Sequence, residues 1–294
     1  MKLLSNFPSP RPSPRGEGAS SADLGLGYLA THSRSFTRFT LYSLVLLCWS
    51  SVGWAQPKGE LRKPVPLDPI RAAREGQELV ADLLAKKPEN STNIGVLRIR
   101  PAGGEQRELP VKIETCCTPT NWVTLYETLL TSNSISKTRL TVTHAEGQPN
   151  EYLLLESSGP AATNNPSRKL AGEQTMIPFA GSDFWVADLG LEFLHWPKQL
   201  LLKKEIRHSQ SCSVLESTNP NPVPGGYARV VTWIDLNNDG VLHADAYDGQ
   251  NHRLKQFDPT ELQKIHGERQ LEEMEMHNLK TRSHTWIKFN LKPD

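Results

Sequence analysis

Apolar and polar residues alternate with a period of two through the last two thirds of the chain, and this pattern constrains the fold most strongly. In the stretch 138–144, Leu140 and Val142 alternate with polar residues, and 227–235 and 283–291 repeat the alternation. Successive side chains of a β-strand point to opposite faces, so the alternation is typical of strands with one buried face. The pattern favours a β protein over a helical bundle.

Further strands are predicted between regularly spaced turn signals. The less regular strand candidates are 94–100, 111–115, 122–129, 151–157, 199–206, 241–248, 252–257 and 270–279. Turns such as Gly103-Gly104 and Asp248-Gly249 separate them, and the chain holds 22 prolines and 20 glycines. Many consecutive antiparallel strands predict a mainly β protein with minor α, built as a strongly curved antiparallel sheet or half-open β-barrel.

One amphipathic helix is predicted ahead of the strands. Asp68 is placed to cap it, Pro69 suits the first helical position, and Pro88 follows its end. The expected apolar stripe consists of Ile70, Ala73, Leu79, Val80, Leu83 and Leu84. Because only one side of this helix is apolar, we expect it to pack against the sheet and help close its open side.

The region before this helix carries the signature of export. Residues 1–33 are rich in Pro, Ser, Arg and Gly, which predicts a disordered or mis-annotated extension. Residues 34–55 combine arginines, an apolar run and small residues, which predicts a signal peptide cleaved after Ala55. Residues 56–67 form a Pro-rich linker, and 68–292 are expected to form a single β domain. The protein is therefore expected to be secreted across the inner membrane, into the periplasm.

The charge balance excludes one class of partner. The chain has 33 Lys and Arg against 32 Asp and Glu, a formal net charge of +1. Nucleic-acid binding needs a basic stripe to neutralise phosphates. No nucleic-acid partner is expected.

The stretch 177–197 holds the densest group of aromatic residues. Its candidate ligand-binding residues are Phe179, Phe184, Trp185, Leu189, Phe193 and Trp196, and its candidate structural residues are Gly181, Ser182, Asp183 and Asp188. Ser182 is expected to cap a short helix with Asp183 in its first turn, and Gly190 is expected to end that helix with a positive φ. Two interpretations stay open: the stretch either plugs a core or lines a site for an apolar ligand.

Residues 235–240 match the first half of a calcium-binding loop. The twelfth position of such a loop requires a bidentate Glu, and Ala246 stands there. The flanking residues are strand-like, so a hairpin turn through Asp239 and Gly240 is favoured. No metal site is expected, and a calcium-stabilised surface module is the alternative.

Three cysteines follow the predicted signal peptide, namely Cys116, Cys117 and Cys212. An exported chain permits disulfides, and neighbouring residues of a strand point to opposite faces. We therefore predict one disulfide that joins Cys212 to either Cys116 or Cys117. Three free thiols are the alternative.

Familiar catalytic motifs are missing from the sequence. It has no HExxH, GxSxG, phosphate-binding or GxGxxG pattern, so neither a cofactor nor enzymatic activity is expected. The alternative from this class is a hydrolase that uses Asp183, Asp188 and His195.

The aromatic stretch carries a family resemblance. Gly181-Ser182-Asp183-Phe184, followed by Asp188-Leu189, resembles one branch of the LolA-like outer-membrane lipoprotein-sorting family, although Trp185-Val186-Ala187 departs from the family's usual residues. Residues 227–235, 246–248, 254–257 and 273–278 resemble the same branch in the same order. The resemblance implies a half-open β-barrel with a helical lid that holds acyl chains of a lipid or lipoprotein. It also implies donor or acceptor proteins in the cell envelope.

Overall fold

A computed structural model describes residues 68–131, 136–158, 166–207, 209–265 and 268–291. They all belong to one of the two compact units of the chain, and the other unit, Arg11–Lys63, lies outside the described residues. The predicted extension, signal peptide and linker also lie outside them and stay predictions. Among the described residues, no helix is both long enough and apolar enough to cross a membrane.

The described residues form one antiparallel sheet of thirteen strands that is not closed. The strands are β1 (Ser91–Arg100), β2 (Arg107–Cys117), β3 (Asn121–Thr128), β4 (Ser136–Ala145), β5 (Glu151–Ser158), β6 (Arg168–Leu170), β7 (Lys198–Arg207), β8 (Gln210–Thr218), β9 (Arg229–Asp235), β10 (Val241–Tyr247), β11 (Arg253–Ile265), β12 (Glu268–Asn278) and β13 (Ser283–Phe289). Their order is β6-β5-β4-β3-β2-β1-β13-β12-β11-β10-β9-β8-β7, so β6 and β7 are the edges. This confirms the predicted curved, half-open sheet.

The described helices are few, and all of them except one are about one turn long. The described residues contain α1 (Pro69–Ala85), α2 (Val186–Leu189) and two single-turn 3₁₀ helices, Gly172–Thr175 and Glu192–His195. All but α1 therefore lie between β6 and β7, in the part of the chain that joins the two sheet edges.

Strand prediction succeeded for eleven strands and missed two. The missed strands are β6 and β8. Cys212 through Leu215 are all buried in β8, so this strand is covered on both faces and shows no alternation. Strand β9 begins at Arg229, so the predicted strand 227–235 starts two residues too early.

Helix α1 begins as predicted, and its inward face keeps most of the predicted stripe, because Leu79 and Leu84 pack partly buried against the core. The Asp68 carboxylate accepts a hydrogen bond from the Arg71 backbone N–H at 3.2 Å. The buried residues of α1 are Ala72, Gly76, Val80 and Leu83, whereas Ile70 is 81% exposed. Gly76 lets the helix backbone approach β7, because a Cβ there would lie 2.7 Å from the Gln199 carbonyl oxygen.

We expect Gly76→Ala to lower the free energy of unfolding by about 1–3 kcal/mol, because the new methyl group overlaps the backbone of β7. This overlap must outweigh the roughly 1 kcal/mol that alanine contributes inside a helix. Chemical denaturation measures the change. Gly249→Ala is the control, because a Cβ at Gly249 meets no atom within 4 Å and its φ is not positive. Equal stability of the two variants would contradict the close approach.

Candidate functional site

The aromatic stretch forms an irregular inner segment, residues 177–197, that packs against the core face of the sheet. Its buried side chains belong to the same hydrophobic cluster as the inward-facing strand residues. Two backbone hydrogen bonds fold its first half back on itself, from the Phe179 N–H to the Phe184 carbonyl at 2.8 Å and from the Val186 N–H to the Ile177 carbonyl at 3.0 Å. The short helix α2 follows this fold-back.

The predicted cap of α2 is wrong. Helix α2 starts after Trp185, whose backbone N–H donates to the Asp188 carboxylate at 2.7 Å. The Ser182 hydroxyl instead donates to the Phe184 carbonyl at 3.2 Å, because the fold-back occupies the position expected for the first helical turn. Gly190 has a φ of −96°, and the positive φ falls on Leu191 at 49°.

Buried side chains of the sheet and of the β4–β5 turn hold the backbone of the inner segment. The Tyr126 hydroxyl donates to the Leu189 carbonyl at 2.8 Å, and the Asn150 amide donates to the Gly190 carbonyl at 2.7 Å. The Gln199 amide donates to the Trp196 carbonyl at 2.8 Å. A buried carbonyl without a donor costs free energy, so these contacts allow an irregular segment inside the barrel. Gly190 has a second role, because any Cβ there would overlap the Tyr152 hydroxyl.

Asp183 joins the inner segment to β13. Its carboxylate accepts hydrogen bonds from the Ser283 hydroxyl at 2.6 Å and the Thr285 hydroxyl at 2.9 Å. Its backbone N–H donates to the same Thr285 oxygen at 2.9 Å. All three residues are buried. Asp183 is therefore a long-range tether and not the first-turn acid of a helix.

A buried lysine that the sequence did not single out lies beside this tether. Lys255 of β11 is 2% exposed, and its ammonium donates to the Asp183 carbonyl at 2.6 Å and to the Asp188 carboxylate at 3.5 Å. The ammonium also lies 3.6 Å from the centre of the Trp185 ring, which stacks on Tyr227. The inner segment thus surrounds one cation with a carbonyl, a carboxylate and an aromatic face.

Burial shifts the pKa values of Lys255 and Tyr227. Removal of the Lys255 ammonium from water lowers its pKa from 10.5 to about 8, although the Asp188 and Asp183 charges oppose the shift. Burial also raises the pKa of Tyr227 well above 10, so its hydroxyl keeps its proton. That hydroxyl donates to the Asp188 carboxylate at 3.1 Å. At neutral pH, Lys255 is charged and Tyr227 is a neutral donor.

A cavity lies between the inner segment and the sheet. The inner segment contributes Phe184, Asp188, Leu189, Leu191 and Phe193 to its wall. The sheet contributes mostly apolar residues, including Ala244, Ala246, Phe257, Met274 and Met276, together with Lys255. The empty space, counted out to the open mouth, is about 810 Å³, but the centres of water-sized spheres can occupy only about 70 Å³ of it. The cavity is therefore narrow, and its wall is mostly apolar.

The predicted ligand-binding residues divide into two groups. Phe184, Leu189 and Phe193 line the cavity. Phe179, Trp185 and Trp196 are outside its wall and pack within the core. Aromatic composition located the segment, whereas the sheet residues of the wall gave no local signal beyond their alternation.

A wider groove adjoins the cavity beside α1. It is lined by α1, by the turn between β4 and β5, and by Leu194 and His195 of the inner segment. Its volume is about 710 Å³, measured in the same way as the 70 Å³ of the cavity. Trp122 and His144 line both spaces, and their rings stack with centroids 5.0 Å apart.

The residues of the hydrolase alternative are not brought together. Asp183 accepts from Ser283 and Thr285, and Asp188 from Trp185, Tyr227 and Lys255. His195 lies in the wall of the groove, where its buried Nε2 atom has no hydrogen-bond partner. The described geometry therefore gives no support to an acid–base pair formed by these residues.

The calcium-like stretch forms the turn between β9 and β10. Asp239 has a φ of 59°, and the Asp235 carboxylate accepts a hydrogen bond from the Asn237 backbone N–H at 2.9 Å. The Lys86 ammonium contacts the Asp239 carboxylate at 2.6 Å. Among the described residues, no group of three or more His, Cys, Asp or Glu could hold a metal ion.

The predicted disulfide is wrong, because all three cysteines are free thiols. Cys116 and Cys117 lie on β2 and Cys212 lies on β8, and six strands separate these two in the sheet. The Cys212 thiol donates to the Glu205 carbonyl at 3.2 Å, and burial raises its pKa. A bridge across six strands is far beyond the reach of two Cβ atoms.

Comparison with known proteins extends this picture. A protein-family model described as "Uncharacterized protein" matches residues 137–291. A search of curated proteins found no match.

Among solved structures, the chain is similar to a DUF1329 family protein from Desulfovibrio piger, with 20% identity, a TM-score of 0.59 and coverage of 76% of this chain and 93% of that one. It is similar to a proposed outer membrane lipoprotein-sorting protein domain from Vibrio parahaemolyticus, with 18% identity, a TM-score of 0.61 and coverage of 74% and 92%. It is also similar to a LolA superfamily protein from Nitrosomonas europaea, with 14% identity, a TM-score of 0.50 and coverage of 76% and 94%. These likenesses establish a LolA-like fold.

Proposed function

Because this chain belongs to the family whose model matches residues 137–291, and because its fold is LolA-like, we propose that it is an exported carrier of acyl chains. It binds the chain of a lipid or lipoprotein non-covalently in the periplasm and exchanges it with donor or acceptor proteins of the envelope. Catalysis has no part in this function. The fold supports the class of protein, and the cavity supports the class of ligand.

The apolar wall of the cavity is the observation that carries this proposal. Phe184, Leu189 and Phe193 of the inner segment and Ala244, Ala246 and Met274 of the sheet line the same narrow space. Burial of apolar surface contributes about 25 cal/mol per Å², or roughly 0.8 kcal/mol for each buried methylene group. An acyl chain therefore gains affinity along its whole length without any catalytic residue.

The cavity is so narrow that its wall must move to admit an acyl chain. A water molecule needs about 10–15 Å³ by the same measure, so the 70 Å³ cavity has room for only a few waters. A methylene group is about as large as a water molecule, so a long acyl chain must widen the cavity. The inner segment is held by discrete hydrogen bonds and an ion pair, and it is the wall that we expect to move.

We expect Ala244→Phe to lower the affinity for a fluorescent hexadecanoyl probe at least tenfold, because the new ring occupies the space between the inner segment and β10. Titration of the purified protein with the probe measures the change. Ala73→Phe on α1 lies outside the wall of the cavity and is the control. If Ala244→Phe stays folded and binds the probe as tightly as the unaltered protein, the cavity is not the acyl site.

Export gives a separate prediction. The mature chain in a periplasmic fraction is expected to begin at Gln56, because cleavage follows Ala55. Intact-mass measurement of the purified protein decides this. A mass that includes residues 1–33 would exclude the proposed signal peptide.

A further inference from the structure

The groove beside α1 has no role in acyl-chain binding as described above. We propose that it binds the polar head group of the same ligand, and that it prefers an uncharged or cationic head group to an anionic one. This inference rests on the proposed function and deepens it, because it names the chemistry attached to the acyl chain.

Continuity between the two spaces is the first argument. Trp122 and His144 line both the cavity and the groove. They are direct cross-strand partners at the ends of β3 and β4, and their stacked rings form the boundary between the spaces. The proposal requires these two side chains to rotate, which would join the cavity to the groove without a change in the backbone. A chain in the cavity can therefore have its head group in the groove.

Size and shape are the second argument. By the same measure, the groove holds about 710 Å³ and the cavity about 70 Å³. The groove is also open and its wall is mixed, with Gln77 and Gln148 beside Val80 and Leu84. A narrow apolar space that continues into a wide, partly polar one matches an acyl chain joined to a bulkier polar group.

The charges of the groove are the third argument. Asp82 of α1 and Glu146 of the β4–β5 turn line it, and none of its described lining residues is Lys or Arg. The Lys86 ammonium at the end of α1 already pairs with Asp239. Burial lowers the pKa of His144 to about 4 and lowers the pKa of His195, so both rings are neutral at pH 7. The groove is therefore negative, and it repels phosphate and carboxylate groups.

An unsatisfied polar atom is the fourth argument. The Nε2 atom of His195 is buried in the groove wall and has no hydrogen-bond partner in the described structure. A neutral imidazole offers one donor and one acceptor, and a buried one without a partner is unfavourable. The proposal assigns a hydroxyl or amine of the head group as this partner, which requires the His195 ring to turn toward the groove.

The test compares three probes that share one hexadecyl chain and carry a glycerol, a trimethylammonium or a phosphate head group. At low ionic strength, we expect the phosphate probe to bind about tenfold more weakly than the other two. The Asp82→Asn, Glu146→Gln double variant is expected to reduce this difference to less than about threefold. Glu78→Gln is the control, because Glu78 lies on α1 outside the groove wall and is 66% exposed. It is expected to keep the full difference.

Photo-crosslinking locates the head group directly. A diazirine on the glycerol head is expected to label residues 77–85 and 144–149, and a diazirine at the end of the chain is expected to label β10 to β12. If the tail labels β10 to β12 but the head labels neither segment, the groove assignment fails and the acyl site stands. Absence of any labelling or binding overturns both. Equal affinity for the three head groups overturns the charge preference.

Discussion

Replacement of Lys255 by Met is expected to lower the free energy of unfolding by about 3 kcal/mol at pH 7. The substitution keeps much of the apolar volume but removes the cation between the inner segment and β11. The Asp188 carboxylate, on a side chain that is 11% exposed, then loses its ion pair, and the Asp183 carbonyl loses a donor at 2.6 Å. Removal of one partner of a buried pair is costly because the other charge stays buried. Urea denaturation of both proteins measures the difference.

A second substitution separates the ion pair from simple packing. In the Lys255→Met background, Asp188→Asn removes the uncompensated charge and keeps an oxygen that can accept from Trp185 and Tyr227. We expect it to restore part of the lost stability, whereas Asp188→Asn alone is destabilising. Strictly additive effects of the two substitutions would contradict a direct interaction between Lys255 and Asp188.

The pH dependence of the same variant has a definite sign. The pKa of Lys255 is lowered from 10.5 to about 8 in the folded protein, so the unfolded chain binds more protons between these two values. The stability of the unaltered protein, measured relative to Lys255→Met, therefore rises as the pH increases from 8 to 10.5. The full rise is about 3 kcal/mol, at 1.36 kcal/mol per pKa unit. A constant difference across this range would contradict the lowered pKa.

Truncation of Phe184 is expected to have the second large effect, on both stability and ligand choice. Phe184 is 2% exposed, so Phe184→Ala lowers the free energy of unfolding by about 3–5 kcal/mol. It also enlarges the cavity that Phe184 lines. The preferred chain length of saturated acyl probes is therefore expected to increase by several carbons. A chain-length series of probes measures this preference.

Phe179→Ala is the matched control for this prediction. Phe179 is 1% exposed and packs edge-on against Tyr126, but it does not line the cavity. It should lose as much stability as Phe184→Ala, with no change in the preferred chain length. If both variants keep the original preference, the inner segment is a plug of the core and not a wall of the acyl site.

The sequence by itself determined the secondary structure because that information is local. Asp68 and Pro69 set the start of α1, and eleven strands followed from alternation and turn residues. Strand β8 was not predicted, because burial on both faces removes the alternation on which the prediction depends. The aromatic composition of residues 177–197 also located the inner segment, since few other segments could supply as much apolar surface.

Only the tertiary structure decided what this inner segment contacts. Its hydrogen-bond partners, such as Tyr126, Lys255 and Thr285, lie 63 to 102 residues away in the chain. In the sequence, Lys255 has the appearance of an ordinary surface lysine within a strand. The groups that surround its ammonium come together because the curved sheet places β11 opposite the fold-back of the inner segment.

The wrong predictions share the same physical origin. A helix cap at Ser182, a positive φ at Gly190 and a disulfide from Cys212 are all reasonable for an isolated segment. The folded structure overrode each of them: the fold-back displaced the cap, the Tyr152 hydroxyl required glycine at 190, and six intervening strands separate β2 from β8. Local preferences therefore fixed the strands and helices, whereas the order of strands in the sheet decided which side chains meet inside it.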